Sequence, residues 1–230
     1  MSKKKKIAYM VPSLKIGGPS TQLSMIIKES VKRFEVEIFA LSTEQKEISM
    51  RQNFENLGVS ITYLKGTLLS KRQKIMKIVK HGDYSLLHSQ GFLPDLLLAS
   101  LSIKTPWLVS IRNYAYEDYV LKFGRLRGRL LAKLHISAFK RPNKLIACSK
   151  YVQHCCQLHG ISSFVIRNGV DLNRAKSKSR QKPAPEVPEI LIVGSLNARK
   201  NNMPILKAHA KLSSVKTTKL ILLGDGSQRN

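Results

Sequence analysis

Two segments of the sequence place glycines or paired cations where a helix begins, an arrangement that suits the binding of phosphate. Gly17 and Gly18 lie in the loop PSLKIGGPS, which leads into a predicted helix, and glycine allows backbone N–H groups to approach an anion. Arg199 and Lys200 directly precede a second predicted helix, so that two cations and N–H groups converge. This combination suits a diphosphate leaving group. Taken separately, the glycine pair is more typical of a plain turn, and the cation pair is as typical of a solvated basic loop.

A third segment, HSQGFLPD, follows the predicted fourth strand and contains His88 and Gln90. Ligands of open α/β sheets bind outside the carboxyl ends of the strands, which is where these two side chains are expected. A single histidine is more often structural, but this one stands at the functional edge of the predicted sheet. His88 and Gln90 are therefore candidate site residues.

Other kinds of chemistry are less well supported. Three cysteines, two of them adjacent, do not form a disulfide framework, which indicates a reduced, cytoplasmic protein. The His and Cys residues between positions 154 and 159 lack zinc spacing, so no metal or other cofactor is expected. No apolar run approaches the roughly 18 residues that a membrane-spanning helix needs. No recognised nucleic-acid-binding module is present, so nucleic acid is not an expected partner.

The charge of the chain indicates a polyanionic partner. Lys and Arg number 40 against 14 Asp and Glu, so the formal net charge is +26. No acidic residue stands between Tyr119 and Val170, and within this stretch Leu121 to Lys140 predicts one helix with leucines on one face. Its basic stripe consists of Lys122, Arg125, Arg129, Lys133 and Lys140. Such a helix suits an anionic membrane leaflet, where each cation contributes about 1 kcal/mol, and is equally typical of a helix that packs on a core and solvates its cations.

Strands and helices alternate along the chain, and this alternation predicts how the candidate residues are held. It is typical of an α/β fold with a doubly wound parallel sheet. Residues 1–175 are expected to form this Rossmann-like domain, and residues 176–188, which contain three prolines, are expected to form a linker. Residues 189–230 hold one further β–α–β unit. Because two strands and one helix cannot cover both faces of a sheet, this unit is expected to be the incomplete start of a second domain.

Taken in order, five motifs resemble the GT-B-fold retaining glycosyltransferases of family 4. GGPSTQL resembles the family's first glycine loop, and HSQGFLPDLLLAS resembles its loop after the fourth strand. IRNYAYEDYVLKFGRLRG resembles the segment found in members that build bacterial surface polysaccharides. LIACSKYV with VIRNGVDLNR resembles the end of the N-terminal domain. ILIVGSLNARKNNMPILKAHAKL with LILLGDGSQR resembles the opening of the donor-binding domain.

The resemblance implies transfer of a sugar, with retained configuration, from a nucleotide-diphosphate sugar to a glycan or lipid-linked acceptor. It places His88 and Gln90 beside the reacting sugar, as the catalytic positions, and Arg112 and Asn113 on the acceptor side. It also implies work in the cytoplasm, at the inner face of the cell membrane and on its anionic leaflet.

The same resemblance assigns the donor phosphates to the two segments described first. Lys200, aided by Arg199, would neutralise the departing diphosphate without a metal ion, because fixed cations stabilise the charge that develops there. Gly17 and Gly18 would approach the donor phosphate or the acceptor.

Three departures from the family pattern qualify this expectation. Gln90 stands where many members have a second histidine, and Ser195 stands where many have arginine. The family's paired glutamates are absent, so the chain is expected to be C-terminally truncated and to transfer sugar weakly or not at all. The alternatives are a non-catalytic membrane-surface or assembly protein that retains the acceptor domain and, less favoured, a basic nucleic-acid-binding protein.

Overall fold

The computed structural model describes residues 4–172 and 185–229, and the chain divides into two units, Met1–Asp171 and Leu172–Asn230. The predicted linker lies mostly outside the described residues. Its last four residues, 185–188, form neither helix nor strand.

Seven parallel strands form the sheet of the first unit. Their order is β3-β2-β1-β4-β5-β6-β7, so the chain winds outward in one direction from β1 and then in the other from β4. The strands are β1 (Lys6–Val11), β2 (Glu35–Ala40), β3 (Ser60–Tyr63), β4 (Leu86–Ser89), β5 (Trp107–Ile111), β6 (Lys144–Ala147) and β7 (Phe164–Val165). The predicted doubly wound parallel sheet is confirmed.

Helices cover both faces of this sheet. They are α1 (Gly18–Ser30), α2 (Arg51–Glu55), α3 (Leu68–His81), α4 (Phe92–Ala99), α5 (Ala115–Phe123), α6 (Arg125–Ala138) and α7 (Lys150–Gln157), with a short 3-10 turn at Lys46–Ile48. Residues of β1 alternate between two cores: Tyr9 and Val11 pack with Leu23 of α1 on one side, and Met10 packs with Ile136 of α6 on the other. A parallel sheet needs this cover because both of its faces are apolar.

The predicted basic helix over residues 121–140 is wrong in one respect, because two helices occupy this stretch. Gly124 has a φ of 80° and separates α5 from α6, and a left-handed residue ends a helix. A Cβ on Gly128 would lie 2.5 Å from the Tyr119 carbonyl oxygen, so this glycine allows α6 to cross α5 closely. The five predicted basic residues therefore do not share one helix: Lys122 is on α5, the three from 125 to 133 are on α6, and Lys140 follows its end.

The face of α6 that carries Leu126 and Leu130 is also not the face that packs against the core of the first unit. Small or mixed residues, including Gly128, Ala132 and Ile136, are buried, whereas Leu126 and Leu130 are exposed. Periodicity alone could not distinguish these faces, since leucines normally mark the buried side.

The second unit contains one parallel strand pair and one helix in its described residues. β8 (Glu189–Val193) pairs in register with β9 (Lys219–Leu223), and α8 (Met203–Ser213) connects them. A 3-10 turn at Ala198–Lys200 precedes α8. None of residues 185–229 is buried, which leaves the apolar side chains of both strands in contact with solvent.

Candidate functional site

The candidate site lies at the carboxyl edge of the seven-stranded sheet, near the reversal of winding between β1 and β4. A crevice is expected there because the chain leaves the two strands in opposite directions. A cavity of about 200 Å³ opens at this edge. Four isoleucines form the apolar part of its described lining. The remaining lining residues are Gln22, His88, Ser110, Arg112, Cys148 and Asn168.

His88 lies within β4 rather than in the loop after it, between Tyr9 of β1 and Leu108 of β5. Its ring is 7% exposed, packs against the ring of Tyr9 at 4.9 Å, and places Nε2 2.8 Å from the hydroxyl oxygen of Ser110. Burial, together with the positive charge of Arg112, lowers the pKa of His88 from 6.5 to about 3. His88 is therefore neutral near pH 7 and is a hydrogen-bonding group, not a cation.

Arg112 follows β5, lines the same cavity as His88, and forms hydrogen bonds with two glutamines. Its Nε donates to the side-chain oxygen of Gln90 at 3.0 Å, its Nη2 donates to the same oxygen, and its Nη1 donates to the side-chain oxygen of Gln22. Both acceptors are neutral amides. Within residues 4–172 and 185–229, no carboxylate forms an ion pair with Arg112, and burial lowers the pKa of its guanidinium.

Of the four residues predicted for catalysis and for the acceptor side, the structure brings three together and leaves one apart. His88 and Arg112 both line the cavity, and the buried Gln90 accepts hydrogen bonds from Arg112. Asn113 is exposed and does not belong to the described lining. Gln22 was missed in the sequence because its role depends on a long-range contact between α1 and Arg112, for which there is no local signal.

The glycine loop reaches the same edge at the start of α1. The helix begins at Gly18 with Gly17 at its N-cap, no side chain caps this end, and the first turn holds no acidic residue. The positive end of the helix dipole is therefore not neutralised by its own residues. A Cβ on Gly18 would meet no atom within 4 Å, and one on Gly17 would touch only Pro19 at 3.9 Å. Packing of the folded chain does not require glycine at either position.

A buried polar network supports the strand end that carries the site. Asp95 of α4 accepts a hydrogen bond from the Ser89 hydroxyl at 2.5 Å and lies 2.9 Å from His135 Nε2 of α6. Ser89 also accepts from the indole nitrogen of Trp107 at 2.8 Å, and the Tyr119 hydroxyl lies 2.7 Å from His135 Nδ1. Burial raises the pKa of the fully buried Asp95 carboxyl, and its hydrogen bonds oppose this. The sequence signal for this network, one acid within the apolar run FLPDLLLA, was overlooked.

The cations of the second unit lie at the carboxyl end of β8. Arg199 and Lys200 are exposed and belong to the 3-10 turn, where the Asn197 side chain accepts from the Lys200 backbone N–H. Backbone hydrogen bonds from Gly194 to Leu223 and from Leu196 to Asp225 join the segments that follow β8 and β9. Lys200 is therefore anchored at its backbone while its side chain remains in solvent.

Leucines and cations share the exposed side of α5 and α6. Leu126 is 89% exposed and Leu130 is 59% exposed, values unusual for leucine in a folded domain. The cations beside them are exposed as well. We call this patch the leucine–arginine surface; it consists of Leu121, Leu126, Leu130 and Leu134 with Lys122, Arg125, Arg129 and Lys133.

The described residues contain neither a candidate metal site nor a helix that could span a membrane. No group of three His, Cys, Asp or Glu side chains that could hold a metal ion occurs in residues 4–172 and 185–229. Over the same ranges, every helix is too short or too polar to cross a bilayer. The expectation that no metal takes part stays a prediction.

The sheet order and the β–α–β unit that follows define a class of protein, those with a GT-B-like α/β fold. Within that class the comparison is specific: residues 16–174 match the family model described as Glycosyltransferase Family 4. The chain belongs to this family. The family named from the five motifs is thereby confirmed.

Individual relatives are more distant. Two curated O-antigen biosynthesis glycosyltransferases WclY from Escherichia coli are each 28% identical over 173 residues, which cover 73% of this chain and 46% of the relative. The chain therefore spans about half the length of the curated relatives it matches. Sucrose-phosphate synthase from Thermosynechococcus elongatus has a TM-score of 0.67 at 15% identity, covering 99% of this chain and 64% of that one. Anabaena HepE in complex with UDP-glucose has a TM-score of 0.61 at 16% identity, covering 96% and 69%. At 15% and 16% identity these two structures show that the chain shares their fold, and nothing more.

Proposed function

We propose that this chain takes part in transferring a sugar, with retained configuration, from a nucleotide-diphosphate sugar to a glycan or lipid-linked acceptor of bacterial surface polysaccharide. The observation that carries the proposal is the cavity at the sheet edge, where neutral His88 and the Arg112–Gln90 pair meet in a family 4 chain. The O-antigen function in the name of WclY supports the acceptor class. The UDP-glucose bound in the HepE structure supports the donor class.

In this proposal the first unit holds the acceptor and the reacting end of the sugar. His88 and Gln90 act there as hydrogen-bonding groups: burial keeps the histidine ring uncharged, and an amide side chain is neither an acid nor a base at neutral pH. Arg112 supplies the positive charge on the acceptor side.

The donor phosphates are assigned to the two helix starts. Lys200, with Arg199 beside it, neutralises the diphosphate as it departs, and the Lys200 side chain is exposed to solvent. The backbone of Gly17 and Gly18 offers N–H groups to the donor or the acceptor without obstruction from a side chain. No metal ion is needed for this neutralisation.

Titration calorimetry with a panel of nucleoside diphosphates tests the donor assignment. We expect Lys200→Ala to weaken binding by roughly ten- to a hundredfold, because a charge-assisted phosphate contact contributes about 1.5–3 kcal/mol. Lys207→Ala is the matched control, since Lys207 is an exposed lysine on the adjacent helix α8. Equal affinities of the wild type and Lys200→Ala would refute the assignment of the donor site.

A second proposal concerns location: the leucine–arginine surface rests on an anionic membrane at the cytoplasmic face of the cell. Leucines in water on a folded domain cost free energy that burial in acyl chains would recover, at about 25 cal/mol per Å². The surrounding cations match the charge of anionic lipid headgroups, and residues 120–169 contain no acid to oppose them. A lipid-linked acceptor would then be presented at the same surface as the enzyme.

Sedimentation with phosphatidylglycerol-containing and with purely phosphatidylcholine vesicles tests the location. We expect binding to the anionic vesicles, weakened by Leu126→Ser and by Arg129→Glu. Leu158→Ser is the matched control, because Leu158 is 67% exposed but lies outside the leucine–arginine surface. Equal binding to both lipids would refute the electrostatic argument. Vesicle binding in a chain that binds no nucleotide would instead support the non-catalytic membrane-surface alternative.

A further inference from the structure

The cavity beside His88 contains a cation, Arg112, that forms no ion pair with a carboxylate of the described residues. Of the described residues that line it, Arg112 is the one that carries a full charge at neutral pH, since burial keeps His88 neutral. Placing an ion in a partly buried site is costly unless an opposite charge accompanies it. The hydrogen bonds to two glutamine oxygens stabilise the charge of the guanidinium through the amide dipoles, without an opposite charge.

Arg112 retains hydrogen-bond donors that its described partners do not use. A guanidinium has five N–H groups, and three contacts to glutamine oxygens leave two of them for another acceptor. Gln22 and Asn168, whose side-chain amides can also donate, line the same cavity, as does Ser110, whose hydroxyl oxygen lies 2.8 Å from His88 Nε2. A planar fork with neighbouring donors and no carboxylate is the arrangement that recognises phosphate or carboxylate oxygens.

Size and exposure indicate which part of a ligand enters. The cavity volume of about 200 Å³ is below the roughly 300–1,000 Å³ of pockets that enclose a whole drug-sized ligand. Ile166 and Asn168 are exposed and mark the open side, whereas His88 is buried at the inner wall. The space therefore suits one charged end of a larger molecule, with isoleucine side chains against its carbon atoms.

We propose that this cavity binds an anionic group of the acceptor, a phosphate or a carboxylate, through Arg112. The sugar or lipid phosphate nearest the reacting hydroxyl, or the carboxylate of an acidic sugar, would occupy it. That the bound anion belongs to the acceptor rests on the proposed function. That the cavity binds an anion does not depend on it. The acceptor is thus an acidic molecule, and a neutral glycan of the same shape is discriminated against.

Cys148 provides a reporter that does not depend on enzymatic activity. It is half-buried in the cavity wall, whereas the other two cysteines, Cys155 and Cys156, are buried. Iodoacetamide should therefore modify Cys148 first, and mass spectrometry gives the rate at this residue. A ligand that fills the cavity should slow this rate.

The experiment compares glucose 1-phosphate, glucuronate and glucose as protecting ligands of the full chain. We expect concentration-dependent protection of Cys148 by one or both anions and none by glucose; the stronger anion identifies the acceptor group. Arg112→Gln should raise the concentration needed for half-protection roughly tenfold or more. Arg112→Lys keeps the charge but loses the planar guanidinium, so its half-protection concentration should lie between those of the wild type and Arg112→Gln. This variant replaces Arg112→Gln in the experiment if Arg112→Gln does not fold. Arg33→Gln, at an exposed arginine outside the cavity, is the charge-matched control.

Three results would overturn the inference. The first is a modification rate of Cys148 that neither anion changes, and the second is equal protection by glucose. The third is protection by UDP that disappears in Lys200→Ala, which would assign the cavity to the donor diphosphate. A failure of the proposed function is distinguishable, because absence of nucleotide binding in calorimetry leaves the protection by glucose 1-phosphate or glucuronate unaffected.

Discussion

Acidification should destabilise the first unit through one residue, His88. The pKa of this histidine is lowered from 6.5 to about 3 by burial and by Arg112. Below pH 6.5 the unfolded chain takes up a proton that the folded chain does not, so the stability contributed by neutral His88 is present above pH 6.5 and is lost as the pH falls toward 3. Integration of this linkage gives a loss of about 2 kcal/mol between pH 7 and pH 5, and on the order of 5 kcal/mol in full.

Urea unfolding at pH 7 and pH 5 measures the loss. The wild type should lose about 2 kcal/mol more between these pH values than His88→Gln, because other titrating groups contribute equally to both proteins. In thermal unfolding the same difference amounts to about 4–8 °C. His81→Gln, at an exposed histidine, should behave as the wild type does. An identical pH dependence in His88→Gln and the wild type would refute the reasoning, and so would an NMR titration in which the ring of His88 gains its proton between pH 7 and pH 5.

Three further predictions concern packing. His135→Ala should lower the free energy of unfolding by about 3–5 kcal/mol, because it leaves the buried Asp95 carboxyl without its histidine; an unchanged urea midpoint would contradict this. Gly91→Ala should cost about 1–3 kcal/mol, since φ is 97° and a Cβ would lie 2.8 Å from Pro12 Cγ, and its melting temperature should fall below that of Gly18→Ala. Gly128→Ala should destabilise the α5–α6 crossing by a similar amount, with faster hydrogen exchange in both helices than in α1.

The fold was predictable from the sequence because the strands of the first unit are short segments rich in apolar residues that alternate with helices. Boundaries are less predictable where local rules compete: α4 begins at Phe92 although a proline follows two residues later, because Pro94 is tolerated in the first turn of a helix. α5 was missed, since its start at Ala115 has no side-chain cap. The split at Gly124 depends on a backbone conformation that composition does not reveal.

The site was predictable only where it follows strand ends. His88, Gln90 and Arg112 lie close together because they follow or end neighbouring parallel strands. The neutrality of His88 was not predictable, as it depends on burial and on a charge that stands far away in the sequence. Gln22 shares this limit, because 90 residues separate it from Arg112.

In α6 small residues are buried and leucines are exposed. Selection for stability and selection for binding therefore act on different residues of this helix. Small side chains such as Ala132 face the core, so an enlarged side chain there is removed by selection for folding. Leu126 and Leu130 project into solvent, and their replacement by polar residues should leave stability within about 0.5 kcal/mol. If homologues retain leucine at these two positions, that conservation would therefore reflect selection for binding at this surface and not selection for stability.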